Sequence, residues 1–346
     1  MKRLSASSFT ITENGLSRLF NMGIVYICDE NCTIHKDGAA LLVKKGGYRL
    51  DTVPLIDTEC VIVFGNSQFS GKSLAMLFEK GIDLVYMSRT GKVKGRLNAE
   101  KSSNVILRIA QYAKWTDMDF RLALAKAFVC GKISNQLHVL EKYKKYEGSR
   151  EIGGCIENIR ANMEKLRDAQ DLFALMGVEG ACARLYFGSY THILKSIGFE
   201  GRARRPAPDP VNALLNLSYA FLRNEIHSRL TLHSFDTELG FLHGIRYGRA
   251  SLPLDVMEEF RPCFVDEFVI TLFNKKVFKE TDFETGADGC FLTYEALKKY
   301  CACYQEHLRK PTHSGEFWKG IFDRQVLRLR KSMLEGEPYC AYLAGN

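Results

Sequence analysis

The sequence is short of proline, with eight in 346 residues, and it has no run approaching the ~20 apolar residues that a membrane span requires. Membrane-spanning, proline-rich disordered and collagen-like classes are therefore excluded. Paired cysteine motifs are missing too. Eleven cysteines are present, but the number is odd and they are scattered. With no secretory signal read ahead of them, free thiols of a cytoplasmic protein are expected rather than a disulfide framework. The closest pairs, Cys28 with Cys32 and Cys301 with Cys303, lack a second pair at zinc-site spacing.

A complete P-loop is also lacking. The run from Val61 to Ser73 has the look of one, but five residues separate Gly65 from Gly71, where four are needed to wrap one phosphate in backbone N–H groups. The strand that follows has Ser88 after it and no acid at its end to hold magnesium. Ser70 reads instead as the N-cap of a helix in which Gly71 is an early residue.

What remains is a globular composition, 46% hydrophobic and 25% charged, with a net charge of +8 from 48 Lys and Arg against 40 Asp and Glu. This length suits about two domains, and the charge allows a polyanionic partner without specifying one. To about residue 97 the pattern is of short β-rich runs: Gly23 to Cys28, Cys32 to His35, Ala40 to Val43, Cys60 to Phe64 and Leu84 to Met87. Lys36-Asp37-Gly38 and Lys45-Gly46-Gly47 read as turns, and Lys72 to Lys80 as one helix. From Ser103 the period becomes 3.6: Phe120, Leu124, Phe128, Ile133, Leu137 and Leu140 predict a long helix ending near Tyr146. Ile152 to Leu166 predict another, and a helix restarts near Pro210. The fold class expected is α+β. A β-rich domain over 22–100 precedes a helical domain over 101–346, with 1–21, polar and without period, as an N-terminal extension.

The chemistry-bearing residues lie in the helical half. Glu179 stands between Val178 and Gly180, a carboxylate among small and apolar neighbours that needs a partner cation or a metal if it is buried. His243, in Gly240-Phe241-Leu242-His243-Gly244, is an imidazole in similar company, which fits a core histidine or a metal ligand. Asp255, Glu258 and Glu259 follow at i, i+3 and i+4; in a helix they share a face. Such crowding fits a helix start that complements the dipole. It equally fits two carboxylates and an imidazole around Mg²⁺ or Mn²⁺. Ten basic residues lie between Arg184 and Arg261, nine of them Arg, and guanidinium forks match phosphate oxygens. Acids among arginines suit phosphodiester chemistry, although they also suit a non-catalytic nucleic-acid scaffold whose acids merely balance arginines.

Several longer runs carry a resemblance. Gly177-Val178-Glu179-Gly180 with Ala183-Arg184-Leu185-Tyr186-Phe187 is one, and Arg204-Arg205-Pro206 with Asp209-Pro210-Val211-Asn212-Ala213-Leu214-Leu215 and Ser218-Tyr219 is another. Gly240-Phe241-Leu242-His243, Arg246, Gly248-Arg249 and the stretch Leu254 to Asp266 complete the set. Together they resemble the integrase family of the CRISPR adaptation complex, the first protein in the Cas numbering. Phe291 to Gln305 and Glu335 to Tyr339 look most like subtype I-C members. Ser234-Phe235-Asp236-Thr237 and Met87-Ser88 depart from the family pattern, in loops away from the ligand positions.

The resemblance implies metal ligands at Glu179, His243 and Glu258, binding Mg²⁺ or Mn²⁺, with Asp255 the nearby acid, a ligand, a support behind the ligands or a helper of the attacking 3′-hydroxyl. It implies a β-sandwich-like N-terminal dimerisation domain and an α-helical catalytic domain. The activity implied is endonuclease and integrase chemistry on double-stranded DNA, joining prespacer 3′-OH ends to the leader-repeat by transesterification. The partners implied are a second copy, a dimer of the small second Cas protein in a heterohexamer, and an iron–sulfur Cas exonuclease. Arg184, Tyr186, Tyr219, Arg246 and Arg249 are then candidates for positioning DNA.

Overall fold

A computed structural model describes residues 23–99, 104–147, 150–194, 197–203, 206–287 and 289–345. The expected N-terminal extension over 1–21 and the pair Arg204-Arg205 lie outside the described residues. The chain divides into two compact units, the first including Leu297–Glu306 from far along the chain as well as the described residues to Ser88 and from Lys92.

The first unit holds two four-stranded sheets. Strands β1 (Gly23–Ile27), β2 (Cys32–Asp37), β3 (Ala40–Lys45), β4 (Tyr48–Pro54), β5 (Thr58–Phe64) and β6 (Gln68–Phe69) are followed by helix α1 (Gly71–Glu79) and strands β7 (Asp83–Met87) and β8 (Val93–Leu97). One sheet runs β1-β5-β7-β8 and the other β4-β3-β2-β6. Gly46 and Gly47 both have positive φ and join Lys45 to its partner Tyr48 in a two-residue hairpin, where only such conformations match the strand twist. Alternate residues of β2 and β3, Cys32, Ile34, Leu41 and Val43, join Val61 and Val63 of β5 and Met76 and Leu77 of α1 in one core. Ser70 caps α1 by accepting from the Ser73 amide, and the Ser73 hydroxyl donates to the Ile34 carbonyl. That residue is thereby committed to holding the helix on β2. β4 was not expected from sequence; it is an edge strand whose Tyr48, Arg49 and Leu50 are exposed, so no apolar alternation marks it.

The second unit is mainly helical. In chain order it contains α2 (Val105–Thr116), α3 (Met118–Glu147), α4 (Arg150–Glu164), α5 (Leu172–Gly188), α6 (Tyr190–Ile193) and α7 (Pro210–Leu232), then α8 (Leu252–Val256) and α9 (Glu267–Asn274). A hairpin of β9 (Phe283–Gly286) and β10 (Gly289–Leu292) precedes α10 (Tyr294–Arg309), whose stretch Leu297–Glu306 belongs to the first unit, and α11 (Trp318–Glu335). α7 is its most buried helix, with Asp209 as N-cap accepting from the Asn212 amide at 2.7 Å and proline in its first turn. Between α8 and α9 the chain tightens into a 3₁₀ turn, Met257–Phe260, and widens into a π turn, Arg261–Asp266. The architecture is thus α+β, with a β-rich unit and a helical one. All eleven cysteines are free, and among the described residues no helix is long and apolar enough to cross a membrane.

Candidate active site

The site forms in the helical unit from α3, α5, the irregular segment before α8, and the 3₁₀ and π turns. α5 begins at Asp171, which caps it by accepting from the Ala174 amide at 2.7 Å, and carries Glu179 in its middle. Glu258 lies on the 3₁₀ turn and is almost fully buried. The two carboxylates meet at the ammonium of Lys132, a buried residue of α3: Lys132 Nζ pairs with Glu179 Oε1 and lies 2.6 Å from Glu258 Oε2. Burial disfavours the lysine's charge, but Glu258 and Glu179 more than offset this and raise its pKa. Burial likewise works against ionised Glu258, yet Arg261, with its Nε 3.1 Å from Oε1, and Lys132 hold its carboxyl down at about 2.

His243 reaches the same carboxylate from the other side, with Nε2 3.9 Å from Glu258 Oε1. Its ring is set by Asp255. Nδ1 donates to Asp255 Oδ1 at 2.7 Å, and that carboxylate also accepts the backbone amides of Phe241 at 2.5 Å, Leu242 at 3.0 Å and His243 at 2.9 Å. With the proton on Nδ1, Nε2 presents its lone pair toward Glu258, the arrangement in which an outer carboxylate orients a metal-binding histidine. Gly240 makes this wrap possible. A Cβ there would lie 2.7 Å from the His243 carbonyl oxygen and 3.0 Å from Asp255 Oδ2.

Asp255, Glu258 and Glu259 do not share a face as a regular helix would require. A 3₁₀ turn advances about 120° per residue, so Glu258 faces Lys132, Arg261 and His243, while Glu259 points away into the helical unit. There it accepts from Tyr339 Oη at 2.8 Å, the Tyr342 amide at 2.9 Å and Gln325 Nε2 at 3.2 Å, and burial pushes its carboxyl up to about 7. Asn135, one turn along α3 from Lys132, donates to the Glu259 carbonyl at 2.6 Å and the Tyr342 carbonyl at 2.9 Å. The C-terminal tail is thereby tied to the residue next to Glu258.

The candidate DNA contacts separate. Arg184 on α5 and Arg246 after His243 are exposed. Arg249 is half-buried and braces its own loop, donating to the Gly244 carbonyl and to Ser251 Oγ. Tyr186 and Tyr219 do not face solvent, which corrects the expectation that they touch DNA. Both are buried, and the Tyr219 hydroxyl donates to Asp266. The guanidinium of Arg261 lies 4.6 Å over the Tyr219 ring. Tyr219 thereby supports Arg261 and hence Glu258, while Tyr186 packs against Phe187 and Tyr190. Burial raises the Asp266 carboxyl to about 6, against the opposing pull of Tyr219 and Arg261.

Sequence reasoning missed Lys132. Its signal was of the same kind as that of Glu179: a lone charge in an apolar run, Ala127-Phe128-Val129-Cys130-Gly131-Lys132-Ile133. It also missed Tyr247, fully exposed beside Arg246.

Among the described residues, no group of three or more His, Cys, Asp or Glu is already gathered for a metal. The donors nevertheless fit one. Glu258 and His243 are 3.9 Å apart, within the span of roughly 3–4 Å open to two ligands of one ion with bonds near 2.1 Å. Between Glu179 and Glu258 a cation is already in place, the ammonium of Lys132. The oxygen-rich donor set with one imidazole suits Mg²⁺ or Mn²⁺.

Comparison with known proteins adds a lineage. The family model described as CRISPR associated protein Cas1 matches residues 25–306. The chain is 33% identical over 316 residues to "CRISPR-associated endonuclease Cas1 3" of Thermus thermophilus, covering 90% of this chain and 93% of that protein. It is 30% identical to a "CRISPR-associated exonuclease Cas4/endonuclease Cas1 fusion" of Geobacter sulfurreducens, covering 93% of this chain and 58% of the fusion.

Among solved structures, a Cas1 protein from Thermotoga maritima superposes with a TM-score of 0.82 at 21% identity, over 92% of this chain and 99% of that one. A casposase bound to integration product gives 0.81 at 22%, over 94% of each chain. A "Cas6-RT-Cas1--Cas2 complex" gives 0.82 at 24%, over 93% of this chain and 36% of that chain, about a third of its length. At identities this low the structural likenesses establish the fold alone.

Proposed function

This chain belongs to the CRISPR-associated Cas1 family, and on that premise we propose that it is a divalent-metal-dependent DNA integrase and endonuclease of CRISPR spacer acquisition. The observation that carries this reading is the convergence on Glu258 of two neighbours, Lys132, which joins it to Glu179, and His243 Nε2 at its other oxygen. Glu179, His243 and Glu258 would hold Mg²⁺ or Mn²⁺, which when bound polarises a phosphoryl oxygen. The remaining tasks fall to the chain's own residues. Asp255 fixes the imidazole, and Arg261 keeps Glu258 ionised. Arg184 and Arg246, both exposed, would neutralise phosphates, and Tyr247 offers a ring on which an unstacked base can lie.

In strand transfer a prespacer 3′-hydroxyl oxygen forms a bond to the repeat phosphorus while that phosphorus loses its bond to the 3′ oxygen of the leader strand. No covalent enzyme intermediate is required, and no activated serine or cysteine is assigned. With water as nucleophile the same site is an endonuclease.

The assembly proposed is a homodimer, two copies of which flank a dimer of the small second Cas protein. The solved complex whose name joins Cas1 to Cas2 supports that partner, and the Cas4 fusion supports an exonuclease partner. Subtype I-C is proposed on the C-terminal residues from Phe291 to Gln305, and a cytoplasmic location on the DNA substrate.

A scaffold reading is favoured by one observation, that Lys132 already neutralises both acids. Strand transfer on a supercoiled leader-repeat plasmid separates the two. In the integrase reading, Mn²⁺-dependent joining is lost in Glu258→Gln and His243→Ala, both still folded and still binding DNA. Joining that persists in both variants, or that never occurs at any Mn²⁺ concentration, overturns it.

A further inference from the structure

Lys132 is a cation with no task in the chemistry just proposed, yet it occupies the middle of the site. It sits on α3, almost fully buried, while its two partners come from different elements, Glu179 from α5 and Glu258 from the 3₁₀ turn. A buried charge persists only when it is paired, and removing its partner is costly. Here the pairing runs both ways. Without the ammonium, two carboxylates from separate elements would face each other, and among the described residues only Glu258 has a second cation, Arg261, in contact. The ammonium therefore does for the acid pair what a divalent ion bound there would do. A divalent ion held by Glu179 and Glu258 would draw on the same two carboxylates that the ammonium now pairs with. A lysine head is a compact charge on a flexible stem of four carbons, able to swing without moving its helix.

We propose that Lys132 is a resident cation of the active site. It holds Glu179 and Glu258 together before a divalent ion arrives and competes with that ion for their oxygens. Once displaced, it is handed to the anionic phosphodiester beside them. This rests on the metal-dependent reading above. Metal loading then does two things at once: it fills the acid pair and frees a positive charge to receive DNA. Because competition is reciprocal, the presence of the lysine weakens the metal by the factor that the metal weakens the lysine's pairing.

The test is Mn²⁺ binding to the full chain, read by the electron paramagnetic resonance of free Mn²⁺, without DNA or turnover. Wild type, Lys132→Met, Lys132→Gln and His243→Ala are compared. The expected result is that Lys132→Met and Lys132→Gln bind Mn²⁺ about tenfold more tightly than wild type, while His243→Ala binds more weakly. The thermal midpoint of the lysine variants should also fall in EDTA and recover with Mn²⁺. A merely structural lysine predicts the opposite sign, since its loss would loosen the site and weaken the metal. If Lys132→Met does not fold in EDTA, it is prepared with Mn²⁺ and Lys132→Gln carries the comparison. Equal or weaker Mn²⁺ binding in both lysine variants, with His243→Ala still impaired, overturns the resident-cation inference alone. Mn²⁺ binding that His243→Ala leaves unchanged overturns it together with the metal-dependent reading.

Discussion

The Nδ1 of His243 lies 2.7 Å from Oδ1 of Asp255, and the same oxygen accepts the backbone amide of His243 at 2.9 Å. One carboxylate thus fixes both the ring and the chain that carries it. Asp255→Asn retains an acceptor but places an amide against the ring N–H. We expect Mn²⁺ affinity to fall about 10- to 100-fold, the usual penalty for losing an outer-shell partner, with far-ultraviolet circular dichroism unchanged. An affinity equal to wild type would remove Asp255 from the site.

Gly240 can be tested apart from any charge. Gly240→Ala puts a methyl group 2.7 Å from the His243 carbonyl oxygen and from Ser251 Cβ. Both neighbours are held, so the segment must shift. A loss of about 1–3 kcal/mol is expected from overpacking, read as a lower urea midpoint, together with loss of DNA joining.

The buried Asp266 gives a pH signature away from the metal ligands. Its carboxyl rises from 3.8 to about 6 on folding, chiefly through burial. The folded state therefore holds the proton more tightly than the unfolded one. Below about pH 4 both states are protonated and the group contributes no pH dependence. From there to about pH 6 stability falls as the buried charge forms, by about 3 kcal/mol at 1.36 kcal/mol per unit. Asp266→Asn, which still accepts from Tyr219, should remove that decline. The difference in urea stability, variant minus wild type, should grow between pH 4 and pH 7; a constant difference would contradict the assignment.

The tail offers a fourth test. Truncation after Glu337 removes Tyr339 and Tyr342, two of the three donors to buried Glu259. The unpaired carboxylate should cost about 3 kcal/mol or more. Adding Glu259→Gln to the truncated chain should recover part of it. No recovery in that double variant would mean that the tail acts through packing alone.

These sites differ in how far the sequence announced them. Glu179 and His243 were legible because each is an ionisable group in apolar company, where burial demands a partner. Lys132 has the same mark but sits in a long helix, a setting in which lysine ordinarily points to water. The orientation of Glu259 was not legible, since i, i+3, i+4 spacing assumes 100° per residue and the chain here turns by about 120°. Tyr186 and Tyr219 lie in runs that resemble the DNA-binding family, but both are buried, and Tyr219 gives its hydroxyl to Asp266 and its ring to Arg261. In the β-rich unit the buried strands β1, β5 and β7 announced themselves through continuous apolar runs. The exposed edge β4 has little to bury, and β9 and β10 are each only four residues long, too short for their alternation to stand out.

The 3₁₀ turn at Met257–Phe260 has a consequence for which changes of length the segment can accept. Adjacent carboxylates, one facing Lys132 and the other the tail, are kept distinct only by the residue count from the α8 helix to Pro262. Deleting one residue before Glu258 would bring Glu259 to the ammonium and Phe260 to Tyr339; inserting one would bring Glu258 to Tyr339 and Met257 to the ammonium. Either change drives the other carboxylate into a buried apolar position, that of Met257 or Phe260. The length of this turn is therefore fixed, which makes it a poor place for tags, permuted ends or loop grafts.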